Sequence, residues 1–414
     1  MLDKYLSDFV RNGKLTVISP NGHTRIYGNA GTEATLKLRG KLTPWALRIW
    51  PEMVLGEAYM DGRLTVEHGS IADVLEILLS NYAHSGIDPL FRVRRTVRMI
   101  VRRLSQLNRI GRARRNVAHH YDLSGQLYDL FLDSDRQYSC GFFEHPEMSL
   151  EEAQTAKKRH IASKLLLNRS GLRVLDIGCG WGGLALDLAG RSDASVLGVT
   201  LSTEQLGVAK GRASASGLAH RCNFALRDYR QIDGAFDRIV SVGMFEHVGI
   251  GYYDAFFTKV RELLTRDGVA LLHTIGRTDG PNATNPWIAK YIFPGGYTPG
   301  LSEVMRSIER CGLYTTDIEI LRLHYAETLK AWRIRFCRNW KKAAALYDER
   351  FCRMWEFYLA SSEMTFRYGN QVVFQIQLAK NIDAVPLTRD YMFMAERSMQ
   401  ARAVQSGRRK PEAA

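Results

Sequence analysis

The chain has 414 residues, 45% of them hydrophobic and 24% charged; that is enough core for one large domain or two ordinary ones and excludes a wholly disordered chain. The net charge of +14 suits contact with polyanions such as anionic lipid, nucleic acid or phosphorylated substrates, or simply solubility. Six cysteines (Cys140, Cys179, Cys222, Cys311, Cys337 and Cys352) include no CxxC pair, so neither a zinc site nor a disulfide framework is expected, and free thiols fit a reducing compartment.

The opening segment MLDKYLSDFVRNGKLTV has no apolar signal core, and no apolar run reaches the ~18 residues that a membrane span needs. The expectation is a cytoplasmic protein with peripheral membrane contact. Residues 1–90 read as a small α+β domain. LTVIS (15–19) and TRIYG (24–28) flank the turn signal PNGH as a hairpin, and 69–81 has helical apolar spacing. Residues 91–116 hold ten arginines and no acid, with Val93, Val97, Ile100, Val101, Leu104 and Leu107 at helical spacing. That is a basic amphipathic helix, suited to an anionic membrane surface or equally to a solvated interdomain position. No nucleic-acid motif accompanies the charge.

From 117 to 400 the pattern alternates strand and helix. RVLDIG (173–178), SVLGVT (195–200), NFAL, FDRIVSVGM (236–244) and GVALLHTIG (268–276) read as strands, with helices at 182–190, 203–216 and 252–265 between them. TTDIEILRLHY (315–325) and QVVFQIQLA (371–379) read as further strands separated by one long helical stretch, 327–363, and 401–414 reads as a flexible tail. The fold class predicted is α/β, a doubly wound and mostly parallel sheet with a helical lid.

RVLDIG runs into CGWGG, so Gly178, Gly180 and Gly183 satisfy GxGxxG. Two features argue against a dinucleotide. Asp176 would sit poorly beside a pyrophosphate but suits a cationic ligand such as the amino-sulfonium end of S-adenosylmethionine. The next strand ends in Thr200, with no acid where dinucleotide enzymes hold the ribose. The loop therefore favours a class I methyltransferase. Asp228 and Tyr229 follow NFAL, where a carboxylate could accept from adenine N6 or cap a turn. Glu246 and His273 fall near carboxyl ends of strands, and no third ligand makes them a metal pair. HYD (His120, Tyr121, Asp122) and YSC (Tyr138, Ser139, Cys140) precede the sheet and would cover the cofactor. Cys140 is equally well a buried small hydrophobe, and His273 a satisfied core histidine.

HHYDLSGQLYDLFLD, QYSCGFF, VLDIGCGWGG, GVTLSTEQ, SVGMFEHVG, LLHTIG and NPWIAKYIFPGG together resemble the cyclopropane-fatty-acyl-phospholipid synthase family, and GEAYMDG (56–62) is similar to its bacterial members. The resemblance implies that a methylene from S-adenosylmethionine is added across a cis double bond of an unsaturated phospholipid, with bicarbonate in the site. It places bicarbonate on Cys140, Glu246, His273, the Ile275 backbone and Tyr325. It places the cofactor on Tyr138, Ser139, Gly178, Thr200, Gln205, Asp228 and Tyr229, beside Tyr121, Asp176 and Gly180 from the segments above. It suggests a homodimer, which the N-terminal domain could mediate; residues 1–90, as a lipid-binding domain, and the basic helix are the candidates for docking on the membrane. A fatty-acyl C-methyltransferase that leaves a methyl-branched or methylated unsaturated chain is the alternative. Trp287, Tyr291, Phe293, Trp332, Phe336 and Tyr358 are candidates to face a cationic reaction centre, or ordinary core aromatics.

Overall fold

The computed structural model describes residues 2–39, 50–82, 96–100, 106 and 124–408. HYD, including Tyr121, lies outside the described residues, as do the tail beyond 408 and all of the basic segment except 96–100 and Gln106. Thr96–Ile100 is helical, with Val97 and Ile100 exposed and Arg98 on Glu52 at 3.2 Å.

Near the N-terminus, β1 (Gly13–Ile18) and β2 (Thr24–Ala30) pair as the predicted hairpin, closed by Gly22 at φ +83°. β3 (Glu33–Leu38) runs parallel to β1, and β4 (Leu64–His68) completes the order β2-β1-β3-β4. The helix expected at 69–81 forms at Ile71–Tyr82, where Ser70 and Asp73 bond reciprocally at its start. Its buried face continues without a break into the aromatic core of Trp287, Trp332 and Trp355.

GEAYMDG joins this unit to the rest of the molecule. A Cβ on Gly56 would collide with the Trp287 indole, so only glycine lets helix Pro51–Met60 lie so close. Glu57 accepts from Lys290 Nζ and Tyr291 Oη, both at 2.8 Å, and Asp61 accepts from Arg350 Nε at 2.9 Å.

The second sheet has the order β10-β11-β9-β8-β5-β6-β7. It comprises β5 (Arg173–Ile177), β6 (Ser195–Thr200), β7 (Cys222–Leu226), β8 (Phe236–Val242), β9 (Leu264–Arg277), β10 (Tyr314–Leu321) and β11 (Gln371–Ala379). Every neighbouring pair from β7 to β9 is parallel, and β11 runs antiparallel to both β9 and β10. Helices Leu150–Lys164, Gly183–Arg191 and Thr203–Ala215 pack into one apolar layer with the sheet, and Tyr253–Leu263 and Leu301–Arg310 into another. This is the doubly wound arrangement the alternation predicts.

Two boundaries differ from expectation. β10 stops at Leu321, where its ladder with β11 ends, and Tyr325 falls instead in the first turn of helix His324–Arg338. The stretch 327–363 is not one helix. It breaks at Asn339, whose side-chain amide donates to Leu130 O, and again before Asp348, which caps helix Glu349–Tyr368 by accepting from Phe351 N at 2.6 Å.

Candidate active site

The strand order reverses beside β5, and the crevice there opens beyond the carboxyl ends of β5 and β8. Gly178, Gly180 and Gly182 follow β5 with φ of +85°, +53° and +82°. Gly178 N and Cys179 N both donate to Val199 O, which folds the loop back onto β6. A Cβ on Gly178 would lie 2.8 Å from the Met244 side chain, whereas none at Gly180 would touch anything. The loop is thus tight below and open above.

The crevice is lined by Asp176, Gly178, Gly180, Thr200 and Gln205 on one side, by Asp228 and Tyr229 on another, and by Tyr138 and Ser139 over the top. Every candidate cofactor residue among the described ones therefore meets in one place. Asp176 is 1% exposed, its Oδ2 has no protein partner, and burial pushes its carboxyl up to about 7. A buried acceptor of this kind fits a cationic ligand. Thr200 Oγ1 donates to Gln205 Oε1 at 2.8 Å, which fixes both side chains. Asp228 is already engaged: Arg230 reaches its two oxygens at 2.8 and 2.6 Å, and it also caps the turn Tyr229–Gln231.

A second, smaller cavity continues inward past Tyr138, Ser139, Gly243 and His247. Cys140, Glu246, His273, Ile275 and Tyr325 all line it. Glu246 sits on the turn Phe245–His247, with Oε1 accepting from Ile275 N at 2.6 Å and Oε2 without a partner. Burial raises its pKa, partly opposed by the Ile275 N–H. His273 does not follow the end of its strand as expected. β9 runs on to Arg277, so His273 lies inside it, level with Val242 at the end of β8. Burial, reinforced by Lys157 and Lys164, holds the His273 ring neutral, with a pKa well below the ordinary value. His247 is neutral for the same reason, pushed down to about 4 by burial. Cys140 is fully buried, its Sγ donates to Gly141 O at 3.2 Å, and burial pushes its pKa far up, so it is a thiol.

Of the candidate aromatics, Phe293 lines the inner cavity. Trp332 and Tyr358 stand one layer behind, the first stacked on Tyr138 with centroids 5.1 Å apart and the second bonded to Tyr138 Oη at 2.9 Å. Trp287, Tyr291 and Phe336 do not line either cavity: Trp287 and Tyr291 pack against helix Pro51–Met60, and Phe336 lies in the aromatic core.

Sequence reasoning missed Lys157 and Gln375. Lys157 is 0% exposed and donates to Ser139 Oγ at 2.7 Å and Gln137 Oε1 at 2.8 Å, which sets the posture of the YSC segment. Burial lowers its pKa to about 8. No motif marks it. Gln375 pairs with His273, and its signal was a glutamine inside the apolar run QVVFQIQLA.

Residues 108–376 match the mycolic acid cyclopropane synthetase family, and residues 1–85 match a family described only as a domain of unknown function. The chain belongs to the mycolic acid cyclopropane synthetase family. It is 42% identical over 289 residues to a probable fatty acid methyltransferase of Pseudomonas putida, a match covering 67% of this chain and 73% of that one. It is 39% identical over 331 residues to the cyclopropane-fatty-acyl-phospholipid synthase of Escherichia coli, covering 80% and 83%. The solved mycolic acid cyclopropane synthase CmaA1, complexed with SAH and CTAB, superposes with a TM-score of 0.61 at 35% identity, over 64% of this chain and 98% of that one. The fold is that of the class I methyltransferases, and the protein is an S-adenosylmethionine-dependent C-methyltransferase that modifies lipid.

Proposed function

We propose that the protein is a cyclopropane-fatty-acyl-phospholipid synthase, converting a cis double bond of an unsaturated phospholipid acyl chain into a cyclopropane ring. The observation that carries this reading is the joining of two cavities at Tyr138 and Ser139. One holds a buried carboxyl group, Asp176, whose Oδ2 has no partner; the other is smaller, largely apolar and offers Glu246 and His273.

S-adenosylmethionine fits the outer cavity, where Asp176, Gly178, Gly180, Thr200, Gln205, Asp228 and Tyr229 would hold it, and it supplies an electrophilic methyl group. An alkene is a weak nucleophile, so its orientation against that methyl must supply much of the rate, about 7–11 kcal/mol for well-placed reactants. The inner walls (Ile275, Ile288, Phe293, Tyr297 and Val373) would orient the acyl chain and exclude water, which would quench the cationic carbon left after the π electrons bond to the methyl and the methyl–sulfur bond breaks, its electron pair staying on sulfur. The ring closes when that methyl loses a proton to an acceptor and the C–H bonding electrons form the bond to the cationic carbon. Glu246 Oε2 is placed to accept it or to hold an anion that does. Bicarbonate fits here too. His273 Nε2 and the Tyr325 hydroxyl are donors for it, and Glu246 an acceptor for its own O–H, whereas the Cys140 S–H would have to turn away from Gly141 O to join them. The Ile275 N–H is spent on Glu246.

The substrate lies in a bilayer, and among the described residues no helix is long and apolar enough to cross a membrane. We place the protein in the cytoplasm, docked peripherally on the inner face of the membrane through the basic segment 91–116 and the N-terminal domain, in a homodimer. The second reading, C-methylation to a branched or methylated unsaturated chain, is favoured by the named activity of the Pseudomonas putida relative.

Incubation with methyl-labelled S-adenosylmethionine and vesicles of unsaturated phospholipid decides between them. A saturated fatty acid carrying one labelled CH2 in a ring is expected. A labelled chain with a methyl branch or a surviving double bond would favour the second reading, and unlabelled fatty acids would overturn both.

A further inference from the structure

The polarity of the hydrogen bonds around His273 is set from outside the cavity. Gln375 faces it across the β9–β11 pair, with Nε2 3.1 Å from His273 Nδ1. Gln375 Oε1 accepts from Lys164 Nζ at 2.8 Å. An ammonium has donors only, so the amide oxygen must face Lys164 and the amide NH2 must face the imidazole. Nδ1 is then the acceptor, and the one proton of the neutral ring sits on Nε2. Nε2 has no protein partner, and His273 lines the inner cavity.

Lys164 is itself held in place. It is 1% exposed and bonds Glu319, with Asp317 at 3.8 Å. Glu319 also accepts from His160 Nε2 at 2.6 Å, and His160 Nδ1 meets Glu396 on the C-terminal helix. Burial alone would raise the Glu319 carboxyl, yet His160 and Lys164 hold it down at about 2. The buried lysine is therefore charge-compensated, with one N–H committed to Gln375.

We propose that Lys164 and Gln375 are positioning residues that lock His273 in its Nε2–H tautomer, so that the ring presents a hydrogen-bond donor, and not a base, to the inner cavity. This rests on reading that cavity as the reaction chamber. It assigns roles within it: His273 orients an anion or a carboxyl group, and the proton released on ring closure goes to Glu246 or to an anion beside it.

The test is 15N NMR of the full chain labelled at histidine, with the His273 signals assigned by their loss in His273→Gln. The expected spectrum has a pyridine-type Nδ1 and a pyrrole-type Nε2, unchanged from mildly acidic to mildly basic pH. Gln375→Glu keeps the bond to Lys164 but replaces the NH2 with an acceptor. It should draw a proton to Nδ1 and lower kcat about 10- to 100-fold with S-adenosylmethionine affinity unchanged. Lys164→Arg keeps donor-only polarity and should retain both the tautomer and most of the activity. A wild-type proton on Nδ1, or a Gln375→Glu protein with the proton moved and kcat undiminished, would overturn the lock. The NMR result does not depend on the substrate, so a locked tautomer without any lipid product would count against the proposed function instead.

Discussion

Ile275 and Glu246 are joined by a 2.6 Å hydrogen bond, from the backbone N–H of one to Oε1 of the other, and this leaves Glu246 Oε2 as a buried acceptor without a partner. The strand β9 thereby aims a carboxyl group from a neighbouring turn into the inner cavity.

Glu246→Gln should keep the Oε1 bond and the fold while replacing the free acceptor with an NH2 donor. Product should fall by about 10²- to 10⁴-fold, the usual range for a positioned proton acceptor, with unchanged cofactor binding by calorimetry. Turnover at the wild-type rate would remove Glu246 from the chemistry.

Asp176, placed in the cofactor site by the proposal above, should make S-adenosylmethionine binding pH-dependent. Its carboxyl, raised by burial to about 7, is neutral below that pH and cannot compensate a cationic ligand. Affinity should rise with pH to a plateau above 7 and weaken by up to about tenfold per unit on the acid side. Stability of the ligand-free protein runs the other way. The fold keeps a proton that the unfolded chain releases near pH 4, so Asp176 costs stability progressively between pH 4 and 7, about 4 kcal/mol at the plateau. Asp176→Asn should therefore raise Tm above pH 7 while weakening cofactor binding and flattening its pH profile. A variant that binds as tightly as wild type would exclude Asp176 from the cofactor site.

Cys140 should resist alkylation. Its thiol is fully buried and shifted far above the ordinary cysteine range by burial, whereas Cys311 is partly exposed. Iodoacetamide at pH 8 should modify Cys311 first with activity retained, as mass spectrometry of the native protein would show. Cys140→Ser preserves a donor and should stay within about tenfold of wild type, the worth of one ordinary hydrogen bond. Rapid labelling of Cys140 with loss of turnover would instead mean a reactive thiolate.

Binding to anionic vesicles should weaken steeply with salt. Each basic residue near such a surface contributes about 1 kcal/mol, and the contribution is screened within a Debye length. Vesicle sedimentation across a salt series measures it. Binding that is indifferent to salt would rule out the basic segment as an electrostatic dock.

Local pattern made the outer cavity legible. The glycine loop after β5, the alternation of strand and helix, and Asp176, Thr200 and Asp228 at strand ends all follow from short-range rules of strand length, turn chemistry and strand polarity. Those rules place residues along a strand but say nothing of what faces them across the sheet. Tyr325 was therefore set on a strand when it opens a helix, and His273 at a strand end when it lies inside β9.

By itself, then, the order of residues determined the class of fold, the residues that line the outer crevice and the set of polar side chains available for chemistry, because each of these depends on neighbours along the chain. Only the tertiary structure decided which hydrogen bonds those side chains make. The pairing of β11 with β9 brings Gln375 and, through it, Lys164 against His273, and the turn after β8 brings Glu246 to Ile275. Such contacts join residues dozens to hundreds of positions apart, and the direction of each hydrogen bond is set by the donor or acceptor character of a partner that no local pattern can name.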